Sequence, residues 1–209
     1  MDLVRLALRQ QLHPELDMHP SWLPAAWPAR HRRVLDHSTS GQALMSELFR
    51  RQLGADLPTF DSPLRRLALL DGPSLRRMAA YVGMAAHKPL LQSRATARQL
   101  KRQAARIDSD GAEFVTRRMP DVPELRMNLS ALQQRPLSIG RVVIARGHRL
   151  LLGALAGEGD ALVGRVQLKL PRRAALSPPA LSPRQAQQVH ELVLMCIVPE
   201  RLKQWDWLF

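Results

Sequence analysis

The sequence predicts a mainly α-helical protein, folded as one compact domain over residues 1–209, with a minor β element near residues 163–170. Apolar residues recur at helical spacing in several stretches, helix caps precede two of them, and only one stretch alternates as a strand does. The chain is 45% hydrophobic and 23% charged, which is typical of a globular protein. No internal repeat of about 20 to 50 residues is visible.

The N-terminal part combines a short helix with an irregular segment. Residues 2–12 place their apolar side chains on one side and predict an amphipathic helix. Four prolines in the segment HPELDMHPSWLPAAWP, residues 13–28, exclude a long helix there. Trp22 and Trp27 are expected to anchor this segment on the core rather than to stack on bases.

The next helix is predicted over residues 41–53, with Ser40 as its cap and Gly54 as its stop. Four apolar side chains of this helix are expected to face inward, and they are Met45, Leu48, Phe49 and Leu53.

Residues 63–71 and 74–87 predict a helical hairpin joined at the letters DGPS. The second helix keeps an apolar stripe at helical spacing, so Arg76, Arg77 and Ala80 are expected to face outward. The stripe consists of Leu75, Met78, Ala79, Val82, Ala85 and Ala86. Such a hairpin fits a helix-turn-helix that lays arginines on DNA, and it is equally an ordinary part of all-helical domains.

A helix over residues 89–106 is predicted to carry a continuous basic ridge, because its basic residues step by three or four positions. These residues are Arg94, Arg98, Lys101, Arg102 and Arg106. Residues 107–137 read as loops around one short helix near 111–118.

Residues 138–155 fit a helix or a strand, since the letters VVI suit either and three glycines weaken both. In residues 163–170, Val166, Leu168 and Leu170 alternate with polar residues, which predicts a half-buried strand. A single strand requires a partner, and residues 141–145 are one candidate.

The C-terminal segment, residues 182–209, is predicted to form a helix and an aromatic tail. Ser182, Pro183 and Gln185 provide a capping box, and Pro199 is expected to end the helix. The apolar stripe comprises Ala186, Val189, Val193, Cys196 and Ile197. In the final WDWLF, the aromatic residues are expected to pack on the core or on a partner, and these are Trp205, Trp207 and Phe209.

The net charge of +13 comes from the middle of the chain, where residues 62–176 hold 21 basic and eight acidic side chains. Such an excess attracts anionic partners, although 27 of the 31 basic residues are arginine, a bias that a GC-rich genome also produces. The single Cys196 fits a reducing compartment. No apolar run reaches the ~18 residues of a membrane span, and arginines interrupt the N-terminal apolar stretch, so neither a span nor a secretion signal is expected.

No catalytic motif is present, so the sequence predicts no enzyme, no cofactor and no small-molecule substrate. His13, Glu15, Asp17 and His19 could gather a metal ion, but the prolines among them favour no site. Nucleic-acid binding is disfavoured because Asn128 is the only asparagine and tyrosine occurs once, leaving few groups to read or stack bases. Protein binding is favoured, with association to anionic lipid as a further alternative.

The order of these features resembles the SctK family of type III secretion proteins, to which YscK and PscK belong. The similarity lies in HPSWLPAAW, in the hairpin SPLRRLALLDGPSLRRMAAYVGMAAH, in QRPLSIGRVVI, in RVQLKLP and in the C-terminal helix with its WLF end. The resemblance implies a mostly helical, cytoplasmic adaptor at the inner-membrane base of the injectisome. It also implies two partners, the cytoplasmic domain of the inner-membrane ring protein SctD and the pod protein SctQ, with the membrane contacted only through them.

The residues expected to meet these partners are the basic ones of the hairpin and ridge and the aromatic ones of the tail. Exposed cations would meet acidic faces of the partner proteins, speeding encounter and fixing orientation. A buried apolar or aromatic cluster would anchor the complex. The leading alternative to the adaptor is a helix-turn-helix transcriptional regulator.

Overall fold

The computed structural model describes residues 3–23, 38–53, 58–126, 138–175 and 178–209. Within these ranges the regular elements are helices and no strand occurs, which confirms the mainly α class. The chain divides into two compact units. Unit 1 comprises Met1–Leu75, Leu155–Leu176 and Leu208, and unit 2 comprises Arg76–Ala154, Ser177–Trp207 and Phe209. One domain over residues 1–209 stays a prediction.

The α-helices of the described residues are α1 (Leu3–Leu12), α2 (Thr39–Leu53), α3 (Pro63–Arg66), α4 (Gly72–Ala86), α5 (Lys88–Gln92), α6 (Ala97–Ala105), α7 (Gly111–Glu113), α8 (Ile139–Leu155), α9 (Asp160–Lys169), α10 (Arg172–Ala175), α11 (Pro183–Leu192) and α12 (Val198–Arg201). Tighter 3₁₀ turns cover Pro14–Asp17, Pro20–Trp22, Leu67–Leu69, Pro123–Leu125, Ala156–Glu158 and Lys203–Leu208. Wider π-helical turns cover Phe114–Arg118 and Val193–Ile197.

Helix α2 begins two residues earlier than its sequence suggests. The Ser38 hydroxyl oxygen accepts the Gly41 backbone N–H at 2.9 Å, so Ser38 caps the helix and the prediction of Ser40 as cap is wrong. Met45 is buried in unit 1, as expected, whereas Leu48 stays 38% exposed.

Trp22 anchors the irregular segment in unit 1, as predicted. Its indole N–H donates to the Leu170 carbonyl oxygen at 2.9 Å, and its ring packs against the cluster of Leu23, Met45, Phe49 and Leu168. The Arg172 guanidinium carbon lies 5.6 Å from the centroid of the indole. Trp27 lies outside the described residues.

The strand predicted near residues 163–170 is wrong, because these residues belong to helix α9. Among the buried residues of α9, Leu162, Arg165, Val166 and Lys169 follow helical spacing, and Leu168 is buried beside them. Two of these residues, Arg165 and Lys169, are charged side chains that a hydrophobicity pattern counts as exposed. The Lys169 ammonium donates to the carbonyl oxygens of Ala68 and Leu70 at 2.8 and 2.7 Å. Those two bonds satisfy the buried charge, so α9 can turn this side inward.

Helix α4 is buried along most of its length. It begins at Gly72, where the Asp71 carboxylate accepts the Ser74 backbone N–H at 2.7 Å. All residues from Met78 to His87 are buried, including Ala80, so the prediction that Ala80 faces outward is wrong.

The segment around residue 138 that fitted either a helix or a strand is helix α8. In unit 2 it approaches α4 where both helices carry glycine. A Cβ on Gly83 would lie 3.0 Å from the Gly147 nitrogen and would overlap the Val143 carbonyl oxygen. Only glycine at these positions permits the backbones to come this close.

The capping box at Ser182 is confirmed, with its hydroxyl oxygen accepting the Gln185 backbone N–H at 3.3 Å. The prediction that Pro199 ends the helix is wrong, because α12 continues to Arg201. A π-helical turn precedes this proline, and the Val198 N–H donates to the Val193 carbonyl. The wider turn removes the clash that a proline makes with the preceding turn of an α-helix.

Within the described residues, the structure contains no helix of the length and hydrophobicity needed to span a membrane.

Candidate functional site

The most strongly charged surface lies on and beside helix α6 in unit 2. Leu100 and Ala104 face inward, and five basic side chains are exposed on the other sides of the helix and its two ends. We call this surface the basic face, and it comprises Arg94, Arg98, Lys101, Arg102 and Arg106.

The basic face is carried by helix α6 with its C-cap and by the turn before it, rather than by the one helix predicted over residues 89–106. The helix ends at Gln92 and resumes at Ala97, so Arg94 lies in the turn between α5 and α6. The buried Thr96 hydroxyl donates to the Leu90 carbonyl oxygen at 2.7 Å. This bond satisfies a carbonyl at the end of α5 and favours the turn over a continuous helix.

The charges of the basic face are not neutralised by the described part of the chain. None of its five cationic groups forms a hydrogen bond or ion pair with a described residue, and no acidic residue occurs between Lys88 and Ile107. Elsewhere in unit 2, Arg117 pairs with Glu113 and Arg118 with Glu200, both at 2.8 Å. The basic face therefore keeps its positive potential for an external anionic group.

A polar network holds the chain just after the basic face against α4. The Asp108 carboxylate accepts two hydrogen bonds from Arg77, at 2.9 and 2.5 Å, and one from the Tyr81 hydroxyl. The Tyr81 ring meets the Phe114 ring edge to face, with centroids 5.2 Å apart. Burial, and then the hydrogen bond to Asp108, raise the pKa of Tyr81. The hydroxyl thus stays protonated and donating.

The two arginines of the hairpin are less available than the sequence suggests. Arg77 is half-buried and engaged by Asp108, and Arg76 is also half-buried. Their part in partner binding stays a prediction, but the basic face offers more accessible charge.

Burial contradicts the alternative in which residues 74–87 read DNA. A recognition helix must expose one side to enter the major groove. The ten residues from Met78 to His87 are all buried, and the Arg77 guanidinium at the start of the helix is bound by Asp108. Helix α4 is therefore a core helix.

The aromatic tail is partly packed. Leu208 is buried, and the Arg66 guanidinium donates to its carbonyl oxygen at 3.1 Å within unit 1. Trp205 and Phe209 are half-buried, and Trp207 is 48% exposed. Leu208 therefore packs this end of the chain down, whereas the Trp207 indole stays exposed, and a partner contact for the aromatic residues stays a prediction.

Unit 2 also contains a charged cleft of about 410 Å³ that the sequence did not reveal. At its wall the Arg201 guanidinium donates to both carboxylate oxygens of Asp110 at 2.8 Å and lies 4.1 Å from the Phe114 ring centroid. The hydrogen bonds from Arg201 lower the pKa of Asp110. The partners are 91 residues apart in sequence, so no local pattern could predict the pair.

Two buried titratable groups, Lys169 and His87, have strongly lowered pKa values but no catalytic partner among the described residues. In unit 1, burial lowers the pKa of Lys169 to about 7, but its ammonium is occupied by two carbonyl oxygens. In unit 2, burial lowers the pKa of His87 to about 4, with a further contribution from Arg146. Neither group has a nucleophile among its hydrogen-bond partners within the described ranges.

The histidines near the N-terminus are engaged in local contacts. His13 Nδ1 lies 3.2 Å from a Glu15 carboxylate oxygen, and His19 Nδ1 lies 2.8 Å from the Ser21 hydroxyl. Across the described residues, no three His, Cys, Asp or Glu side chains are grouped to hold a metal ion.

Comparison with known proteins places the chain in one family. Residues 7–198 match the family described as "YOP proteins translocation protein K (YscK)". No curated protein and no solved structure matches the chain. The match extends over both units and includes the basic face. The chain therefore belongs to the YscK family of type III secretion proteins.

Proposed function

We propose that this YscK family protein is a non-enzymatic adaptor of the injectisome sorting platform. It joins the cytoplasmic domain of the inner-membrane ring protein SctD to the pod protein SctQ, and it acts in the cytoplasm at the inner-membrane base of the apparatus. Membership of the family supports a role in type III secretion, and the resemblance stated above supplies the two partners.

The basic face is the observation that carries this proposal. Five exposed cations without a carboxylate partner in the described chain lie on one short segment, and the network around Asp108 fixes the end of that segment. Holding like charges together is unfavourable for the isolated chain. A partner with an acidic surface relieves this repulsion, and it is guided into place by the same field.

The apolar part of the interface is assigned to the tail. Trp207 exposes about half of its surface beside buried Leu208, and tryptophan is among the residue types that most often dominate the free energy of binding. The basic face would then govern the rate and orientation of encounter, and Trp207 would slow dissociation.

Charge reversal on the basic face tests the proposal directly. The variant Arg98→Glu with Arg102→Glu is titrated against the purified SctD cytoplasmic domain and against SctQ by isothermal titration calorimetry. We expect the affinity for one partner to fall by roughly tenfold or more, because the new glutamates would repel an acidic surface. A tenfold loss corresponds to about 1.4 kcal/mol.

A matched control separates local charge from total charge. Arg149→Glu with Arg184→Glu alters two exposed arginines of unit 2 outside the basic face and changes the net charge equally. This variant should bind both partners as the unaltered chain does. Equal binding by the basic-face variant would remove the basic face from the interface, and no binding by the unaltered chain would remove the adaptor function itself.

A further inference from the structure

Helix α1 of unit 1 carries a ridge of apolar side chains that are exposed to solvent. Its inner side is fixed by buried Leu6 and by Gln10, whose amide donates to the Leu69 carbonyl oxygen at 2.6 Å. Its outer side exposes Val4, Leu8 and Leu12 by 60%, 51% and 53%. These three residues follow each other at a spacing of four, so they form one ridge along the helix.

Two arginines accompany this ridge. Arg5 and Arg9 are exposed, and neither side chain forms an ion pair or hydrogen bond with a described residue. We call this surface the α1 face, comprising Val4, Arg5, Leu8, Arg9 and Leu12. It combines unburied aliphatic area, which favours removal from water, with positive charge that favours a carboxylate neighbour.

The chemistry of the α1 face selects among possible occupants. A second copy of this chain is disfavoured, because a symmetric contact would bring Arg5 and Arg9 against the same residues in a chain of net charge +13. An anionic membrane surface is disfavoured because α1 buries one side within unit 1 and its exposed ridge carries no aromatic side chain. An aliphatic ridge at this spacing instead fits the groove of another helix.

We infer that the α1 face docks an amphipathic, acidic helix of one of the two proposed partners, SctD and SctQ, while the basic face of unit 2 docks the other. This inference rests on the proposed adaptor function and adds an assignment of surfaces. The occupant of the α1 face would offer leucine-like side chains at a spacing of three or four and glutamate or aspartate beside them.

The test uses the full chain with two changes to the α1 face. Leu8→Gln with Leu12→Gln removes the ridge, and Arg5→Glu with Arg9→Glu reverses the charge. For controls, Met195→Gln alters an exposed apolar side chain of unit 2, and Arg173→Glu alters an exposed arginine of unit 1. Each variant is titrated against the SctD cytoplasmic domain and SctQ, after its circular dichroism spectrum has shown the helical content of the unaltered chain.

We expect both α1-face variants to lower the affinity for the same one of the two partners by roughly tenfold or more. The variant Arg98→Glu with Arg102→Glu should instead lower the affinity for the other partner. The two controls should bind both partners normally. The assignment would be overturned if both α1-face variants bound both partners normally. It would also be overturned if the α1-face variants and the basic-face variant lost affinity for the same partner. Either result would leave the adaptor function intact. No binding by the unaltered chain would overturn both.

Two further measurements address the other occupants. Co-sedimentation with vesicles of equal phosphatidylglycerol and phosphatidylcholine should show no binding that depends on the α1 face. Analytical ultracentrifugation should show no self-association that Leu8→Gln with Leu12→Gln abolishes. Vesicle binding of this kind would assign the α1 face to lipid, and self-association of this kind would assign it to a second copy of the chain. Either result would contradict the inference.

Discussion

Gly147 of α8 lies so close to Ala79 of α4 that a Cβ on Gly147 would overlap the Ala79 carbonyl oxygen. Its nearest other neighbour is the Gly83 backbone nitrogen, at 2.6 Å from the same Cβ position. Helices α4 and α8 thus meet backbone to backbone in unit 2. The Ala79 carbonyl cannot move aside without disturbing α4.

Replacement of this glycine should be costly. We expect Gly147→Ala to lower the free energy of unfolding by about 2 to 3 kcal/mol, since the clash with backbone outweighs the helix preference of alanine. Gly157→Ala is the control, because a Cβ there meets nothing within 4 Å, and its change should stay within about 0.5 kcal/mol. Urea unfolding followed by circular dichroism measures both, and equal midpoints would refute the close crossing.

The tail provides a matched pair of substitutions. Leu208 is 2% exposed and Trp207 is 48% exposed. Leu208→Ala should lower the free energy of unfolding by about 2 to 4 kcal/mol through the cavity that it leaves. Trp207→Ala should cost less than about 1 kcal/mol in the isolated chain and should weaken partner binding. The reverse order in thermal melts would show that Trp207, not Leu208, secures the tail.

Acid stability should depend on His87. Burial lowers its pKa from 6.5 to about 4, so the unfolded chain binds this proton more readily than the folded chain between those values. Stability from neutral His87 is therefore complete above pH 6.5 and is lost as the pH falls to about 4, a loss of about 3 kcal/mol.

The test is the pH dependence of urea unfolding. His87→Leu should flatten the curve between pH 6.5 and 4. A His87→Leu curve with the slope of the unaltered chain would show that the imidazole titrates normally in the fold.

Tyr81 is the only tyrosine of the chain, so its ionisation can be followed by ultraviolet absorbance. Because burial and Asp108 raise its pKa, the phenolate signal should appear only with unfolding at high pH. Tyr81→Phe keeps the ring against Phe114 but removes a donor from Asp108, and it should lower the free energy of unfolding by about 1 to 2 kcal/mol. A phenolate signal near pH 10 in the folded chain would contradict the buried hydrogen bond.

Features decided within one turn of helix were predictable from sequence. The capping box of Ser182 and Gln185 is a local arrangement of side chain and backbone, and it forms as expected. The apolar stripe of α4 correctly predicted a helix but did not predict how much of that helix is buried. The pattern of one element does not show how many neighbouring elements cover it. The burial of Ala80 comes from those neighbours.

Features decided by distant contacts were not predictable. Arg165 and Lys169 lie on the buried side of α9 because Gln11, Ala68 and Leu70 bind them from far along the chain. Without those acceptors, the alternation of Val166, Leu168 and Leu170 reads as a strand. Similarly, the basic residues of the candidate site were found by spacing, whereas the break at Thr96 depends on a hydrogen bond that spacing does not encode.

Because Lys169 is buried, its chemical reactivity can report local unfolding of unit 1. Its ammonium is buried and bound by two carbonyl oxygens, whereas Lys101 and Lys203 are exposed. An amine-reactive reagent will acylate the two exposed lysines at once, and Lys169 only when α9 detaches from the turn at Leu67–Leu69. Mass spectrometry of the peptide that contains Lys169 would measure its acylation with and without a bound partner. A lower rate in the complex would show that docking suppresses local unfolding of unit 1.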